Sequence, residues 1–138
     1  MSMNGREVAV GDTFSLDIDP VSTTQLVRYA GASGDYNRIH YDAPYAEEAG
    51  LGGVIAHGML TMAFMGRALT GWAGEDAAVS RIAARFTAPV RPGDVVSVSG
   101  TVSERKDTAD GIQASCQLIA RVGEKQVAMG DATVAWNT

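Results

Sequence analysis

The sequence predicts an α+β domain in which an antiparallel sheet wraps one central helix, and three observations carry that expectation. Helix-start signals are confined to the first half of the chain. The segment from Met59 to Trp72 is apolar almost all round, through Leu60, Met62, Phe64, Met65 and Leu69, and a helix without a polar face is normally enclosed by protein. Beyond it the chain alternates with period two, the signature of half-buried strands.

Taken in order, a short strand is expected near Thr13 to Ile18. Ser22 or Thr23 then caps a helical turn through Leu26 and Tyr29. A polar, irregular passage follows from Gly31 to Asp42. Pro44 opens a brief helix that ends at Gly50. The run Leu51-Gly52-Gly53-Val54-Ile55-Ala56 leads to His57-Gly58, where the central helix starts, and Gly71 and Gly74 end it. A strand follows around Val79 to Thr87, then three more. Val96, Val98 and Val102 alternate with polar neighbours, as do Ile112, Ala114, Cys116, Leu118, Ala120 and Val122. Asp110-Gly111 and Gly123-Glu124 supply the turns. A curled sheet covers a central helix on one side only, so the open side and the sheet edge predict a dimer.

Size and charge narrow the function. The 138 residues fit one domain spanning the whole chain, 46% apolar and 20% charged, with no repeat or linker. A formal charge of −5, with scattered basic residues, argues against nucleic acid as a partner. The first ten residues lack the pattern of a signal peptide, and the longest apolar segment is too short to span a bilayer and carries Arg67, so no membrane association is expected. Cys116 is the only cysteine, so no internal disulfide can form, and a cytoplasmic location is expected.

The chemistry is concentrated between Tyr29 and Met59. Asp35 and Asn37 alone read as turn formers, because their side chains bond nearby amides. His40 alone reads as a surface or satisfied core residue, and His57 before an apolar helix as one that helps close the helix entrance. The combination is more informative, since a carboxylate and an imidazole five residues apart on irregular backbone can converge on one water. Imidazole titrates nearest neutrality and so moves protons both ways. Gly58, opening a buried helix, offers an unpaired N–H at the positive end of the helix dipole, without a side chain to block approach. An enolate oxygen would be stabilised there without a metal. No HExxH motif or Cys/His cluster occurs, so no metal is expected. Ser33 misses the nucleophile-elbow pattern, because Asp35 stands where glycine is required. The Gly50-Leu51-Gly52-Gly53-Val54-Ile55 run fails the dinucleotide fingerprint at Ile55. No cofactor is expected.

Three segments carry a family resemblance. Ser33-Gly34-Asp35-Tyr36-Asn37-Arg38-Ile39-His40-Tyr41-Asp42 resembles the hydratase signature of the MaoC-like (R)-specific enoyl-thioester hydratases and 3-hydroxyacyl-thioester dehydratases. Ala56-His57-Gly58-Met59-Leu60 is similar to the start of that family's central helix, and Phe86-Thr87-Ala88-Pro89-Val90-Arg91-Pro92-Gly93-Asp94 to its second recurring segment. The resemblance implies a hotdog fold, a homodimer with one continuous sheet, and an acyl-CoA or acyl-carrier-protein substrate entering between subunits. It also implies Asp35 and His40 as the catalytic pair, Asn37 as a fixer of their loop, and the Gly58 amide as polariser of the thioester carbonyl. His57 belongs to the substrate site, and Gly66 falls where the family lines its acyl pocket. One departure stands out: this chain has Arg38 where the family usually has proline. Arginine leaves the loop freer and adds a charge, either as an exposed side chain compensated by Tyr36 or Pro44 packing, or as a partner for a substrate carboxylate or phosphate. The expected activity is reversible hydration of a trans-2-enoyl thioester. Its rivals are a hotdog thioesterase and a non-catalytic acyl-binding partner in an unequal dimer.

Overall fold

The computed structural model describes residues 5–137, the side chain of Arg6 excepted. After a 3₁₀ turn at Gly5–Glu7 come β1 (Thr13–Asp17), α1 (Thr23–Ser33) and a second 3₁₀ turn at Arg38–His40. Next are α2 (Ala43–Glu48), α3 (Gly58–Ala73), β2 (Ala77–Phe86), β3 (Val96–Thr108), β4 (Gly111–Val122) and β5 (Lys125–Asn137). The strands form one antiparallel sheet in the order β1-β3-β4-β5-β2.

The sheet curls around α3, and the sequence supplies the means. Ladder register shifts between Val102 and Glu104 in β3, between Val79 and Arg81 in β2, and between Ala120 and Arg121 in β4. Each shift leaves an extra residue on one strand, which bends the strand and increases its twist. The concave face presents Val98, Val102, Ala114, Cys116, Leu118 and Val134, all buried against Leu60, Phe64, Met65 and Leu69 of α3. Cys116 is fully buried, and burial pushes its thiol up to about 11, which makes it a small apolar core residue. The last turn of α3 is closed by Trp136, whose indole N–H donates to the Ala73 carbonyl at 3.1 Å. The Phe14 and Trp72 rings stack at 4.5 Å and bind β1 to α3. This antiparallel sheet around a single helix is the hotdog fold.

Two expectations need correction. The passage from Gly31 is not irregular throughout: α1 runs to Ser33, and Gly34, at φ 75°, ends it in the left-handed conformation that glycine adopts without strain. Gly71 lies inside α3 and does not break it; the helix ends at Ala73, capped by Gly74. The central helix is covered on one face only, as a curled sheet predicts. Met59, Ala63, Arg67 and Thr70 are exposed, with Met59 at 58%. No helix among the described residues is long and apolar enough to cross a membrane.

Candidate active site

The site is built by the segment between α1 and α3. At the end of α1, Ser33 Oγ donates to the Tyr29 carbonyl at 2.7 Å and accepts from the Asp35 N–H at 3.2 Å. Asp35 Oδ1 accepts from the Asn37 N–H at 3.2 Å, a turn closed by the aspartate's own side chain. Asn37 repeats the device: its Oδ1 accepts from the Ile39 N–H at 3.2 Å and caps the turn that carries His40. The Tyr41 hydroxyl donates to the Tyr36 carbonyl at 3.0 Å. Side-chain-to-backbone bonds thus fix a loop that contains no regular element longer than one turn.

His40 is 6% exposed. Its Nδ1 lies 2.7 Å from the Ile55 carbonyl oxygen, which can only accept, so Nδ1 carries the proton and neutral His40 keeps a lone pair on Nε2. That Nε2 stands 3.8 Å from Asp35 Oδ2, too far for a direct hydrogen bond and suited to one shared water or hydroxyl oxygen. The Asp35 side chain is half exposed, so the pair is accessible from outside.

His57 lies beneath the pair, 1% exposed. Its ring stacks on His40 with centroids 3.8 Å apart and planes 23° apart, while Tyr29 meets it edge-on at 4.8 Å. Its Nε2–H donates to the Asp35 backbone carbonyl at 3.3 Å, and its buried Nδ1 has no hydrogen-bond partner among the described residues. Burial, and next the neighbouring His40, lower the pKa of His57 from the usual imidazole value, which favours its neutral form.

Gly58 is the first residue of α3, and His57, the residue before it, provides no capping side chain. Among the described residues the Gly58 N–H has no acceptor. A Cβ at Gly58 would stand 3.0 Å from the Phe86 ring, a tight contact that glycine avoids. Gly66 lies two turns beyond Gly58, and nothing stands within 4 Å of the position its Cβ would take.

The Arg38 side chain is exposed; its guanidinium donates to Asp42 Oδ2 from Nε at 3.1 Å and from Nη2 at 2.8 Å, and lies over the Tyr45 ring at 4.3 Å. Asp42 also caps α2 through the Tyr45 N–H at 3.2 Å, so both partners of the ion pair are anchored. The guanidinium holds the Asp42 carboxyl below the usual carboxylate range, and Asp42 raises Arg38 in turn.

Asp35, His40 and His57 each bring one ligand-type atom within 4.8 Å of the others. The donor set does not suit a cation. A metal lies in the plane of each imidazole that binds it, at about 2.0–2.1 Å from nitrogen. Two rings stacked 3.8 Å apart and tilted by only 23° have planes that meet well beyond that length. His57 Nε2 is moreover committed to the Asp35 carbonyl.

The sequence made Asp35, His40, Asn37 and Gly58 visible. It gave no sign of the Ile55 carbonyl that sets the His40 tautomer, nor of the stack that joins the two histidines. Main-chain acceptors carry no residue signature, and ring stacking across a gap of seventeen residues has no local pattern.

A hotdog domain with a carboxylate facing a buried imidazole in the segment that precedes its central helix defines a class, and the chain's relatives define the group within it. The profile of the MaoC-like domain matches residues 7–123, and the chain belongs to that family. It is 34% identical over 119 residues to an (R)-specific enoyl-CoA hydratase of Rhodospirillum rubrum, covering 83% of this chain and 78% of the relative. It is 32% identical over 115 residues to a 3-hydroxybutyryl-CoA dehydratase of Methylorubrum extorquens, covering 83% and 72%. The unliganded R-hydratase PhaJ1 from Pseudomonas aeruginosa superposes with a TM-score of 0.82 at 29% identity, over 96% of this chain and 84% of that one.

Proposed function

We propose that the chain is a hydro-lyase that adds water reversibly to a trans-2-enoyl thioester, giving the 3-hydroxyacyl thioester. The observation that carries this reading is the 3.8 Å gap between the free His40 Nε2 and Asp35 Oδ2. A water held between them donates a proton to Nε2 as its oxygen bonds C3. The electron pair of the C2–C3 double bond moves onto the thioester oxygen, where the Gly58 N–H supports the enolate. Collapse of the enolate takes up a proton at C2 from the Asp35–His40 pair, and dehydration is the same path reversed. Asn37 keeps the two groups in register through the turn it caps. The open space above Gly66 suits the acyl chain.

The names of the relatives support the same chemistry, on coenzyme A thioesters in their case. Hydration of enoyl substrates on coenzyme A and on acyl carrier protein, with free-thiol release followed in parallel, separates this reading from a thioesterase. Activity from the purified chain alone separates it from a non-catalytic partner. Asp35→Asn and His40→Ala should each lower kcat by about 10²–10⁴-fold with the fold intact. Near-normal turnover in both would end the assignment.

A homodimer belongs to this reading. The exposed face of α3 around Met59, Ala63 and Gly66, together with the ten-residue edge strand β2, gives a second copy an apolar helix face and a free ladder to cover.

A further inference from the structure

We propose that His57 is the positioning residue of the Asp35–His40 pair: a buried platform under the His40 ring that at the same time tethers the Asp35 backbone. This rests on the hydration reading, in which Asp35 and His40 must hold one water between them.

Three contacts meet at one side chain. The His57 ring covers one face of His40 at 3.8 Å, which fixes the tilt of the imidazole about its bond to the chain. The bond from Nδ1 to the Ile55 carbonyl fixes only the edge of that ring. On its other side His57 Nε2–H holds the carbonyl of Asp35, the residue whose carboxylate faces His40 Nε2. Both ends of the 3.8 Å gap therefore refer to one rigid ring, itself braced by Tyr29. His57 is too buried to reach the substrate, and its unpaired Nδ1 faces no proton donor or acceptor among the described residues. Its service to the reaction is through its two neighbours. The titratable groups that face it are His40, Asp35 and Tyr29. With His40 accepting a proton in each turnover, a second cation stacked on it is disfavoured, so a platform that stays neutral suits the task.

Two substitutions separate the two contacts. His57→Gln keeps an amide donor for the Asp35 carbonyl and removes the ring. His57→Phe keeps a flat ring and removes the donor. Misplacing reacting groups by an ångström costs up to about 10²-fold, so each variant should lose about 10–100-fold in kcat with KM changed less than about 3-fold. The Gln loss should disappear in a His40→Ala background, and the Phe loss in an Asp35→Asn background, because each acts through that partner. Equal losses in both backgrounds, or no loss at all, would overturn the proposal. A readout without substrate distinguishes its failure from that of the hydration reading. Long-range ¹⁵N–¹H spectra should show His40 as the Nδ1–H tautomer in the unsubstituted protein and in His57→Phe, and as a tautomer mixture in His57→Gln. An unchanged His40 spectrum in His57→Gln defeats the platform whatever the activity. A changed one in a protein without hydratase activity leaves the platform standing and removes only the reaction assigned to it.

Discussion

The Ile55 carbonyl and the His57 ring decide between them what His40 can do, and both act on single atoms. Because the carbonyl can only accept, His40 presents an unprotonated Nε2 to the substrate side while neutral. His57 contributes a pH signature of its own. Its folded pKa lies below the ordinary value, near 6.5 unfolded, so the unfolded chain binds more protons as the medium becomes acid. The contribution of this group is level well above pH 6.5 and declines as pH falls from there towards the folded value. Thermal unfolding of His57→Gln should therefore depend less on pH between 7 and 5 than that of the unsubstituted protein. Parallel curves for the two proteins would mean that His57 is not buried neutral. Part of this was legible in the sequence. Asp35 and His40 stand out because a carboxylate and an imidazole five residues apart bear a pattern, as does Asn37 through its turn preference. Arg38 did not betray its place, since nothing local told whether Asp42 or a ligand would take its charge; the structure spends it on Asp42 and Tyr45.

At the scale of elements, the strands were readable because burial on one face imposes period two, and Ala114, Cys116, Leu118 and Ala120 of β4 do point into the core. The helix boundaries were less so. Gly71 looked like a stop, yet nothing stands within 4 Å of where its Cβ would be, and the helix passes through it to Gly74. The glycines of the sheet are less permissive. A Cβ on Gly100 of β3 would run into the Phe14 ring that stacks on Trp72, and one on Gly130 of β5 would strike the Ala83 carbonyl of β2. Gly100→Ala should cost about 1–3 kcal/mol of stability in urea unfolding, through overpacking against β1. A neutral result would mean that Phe14 swings away without loss. Gly66 is the opposite case. Gly66→Val should leave stability close to normal and shift the preference among enoyl thioesters towards shorter acyl chains; an unaltered chain-length profile would remove Gly66 from the acyl site.

For the whole molecule, the division of labour is clear: the sheet and the inner face of α3 form the core, while residues 35–58 supply the proposed chemistry. That the sheet wraps the helix was legible, because an all-apolar helix needs cover. That it wraps one side only was expected of a curled sheet, although no single residue announces it. Sedimentation should find a dimer at micromolar concentration, and the melting temperature should rise with concentration, as mass action requires of a folded oligomer. A monomer with a concentration-independent melting temperature would leave the exposed Met59 face and the β2 edge without an occupant.

The residue that orients His40 does so with its main chain, and that has a consequence for how this protein tolerates genetic variation. Ile55 also donates its N–H to the Ile39 carbonyl at 3.1 Å, and Ala56 donates to Val90 at 2.7 Å. The functional role of position 55 is thus independent of its side chain: drift among valine, leucine or methionine there should be nearly silent, whereas proline, which has no amide hydrogen, should strike at the imidazole fifteen positions earlier.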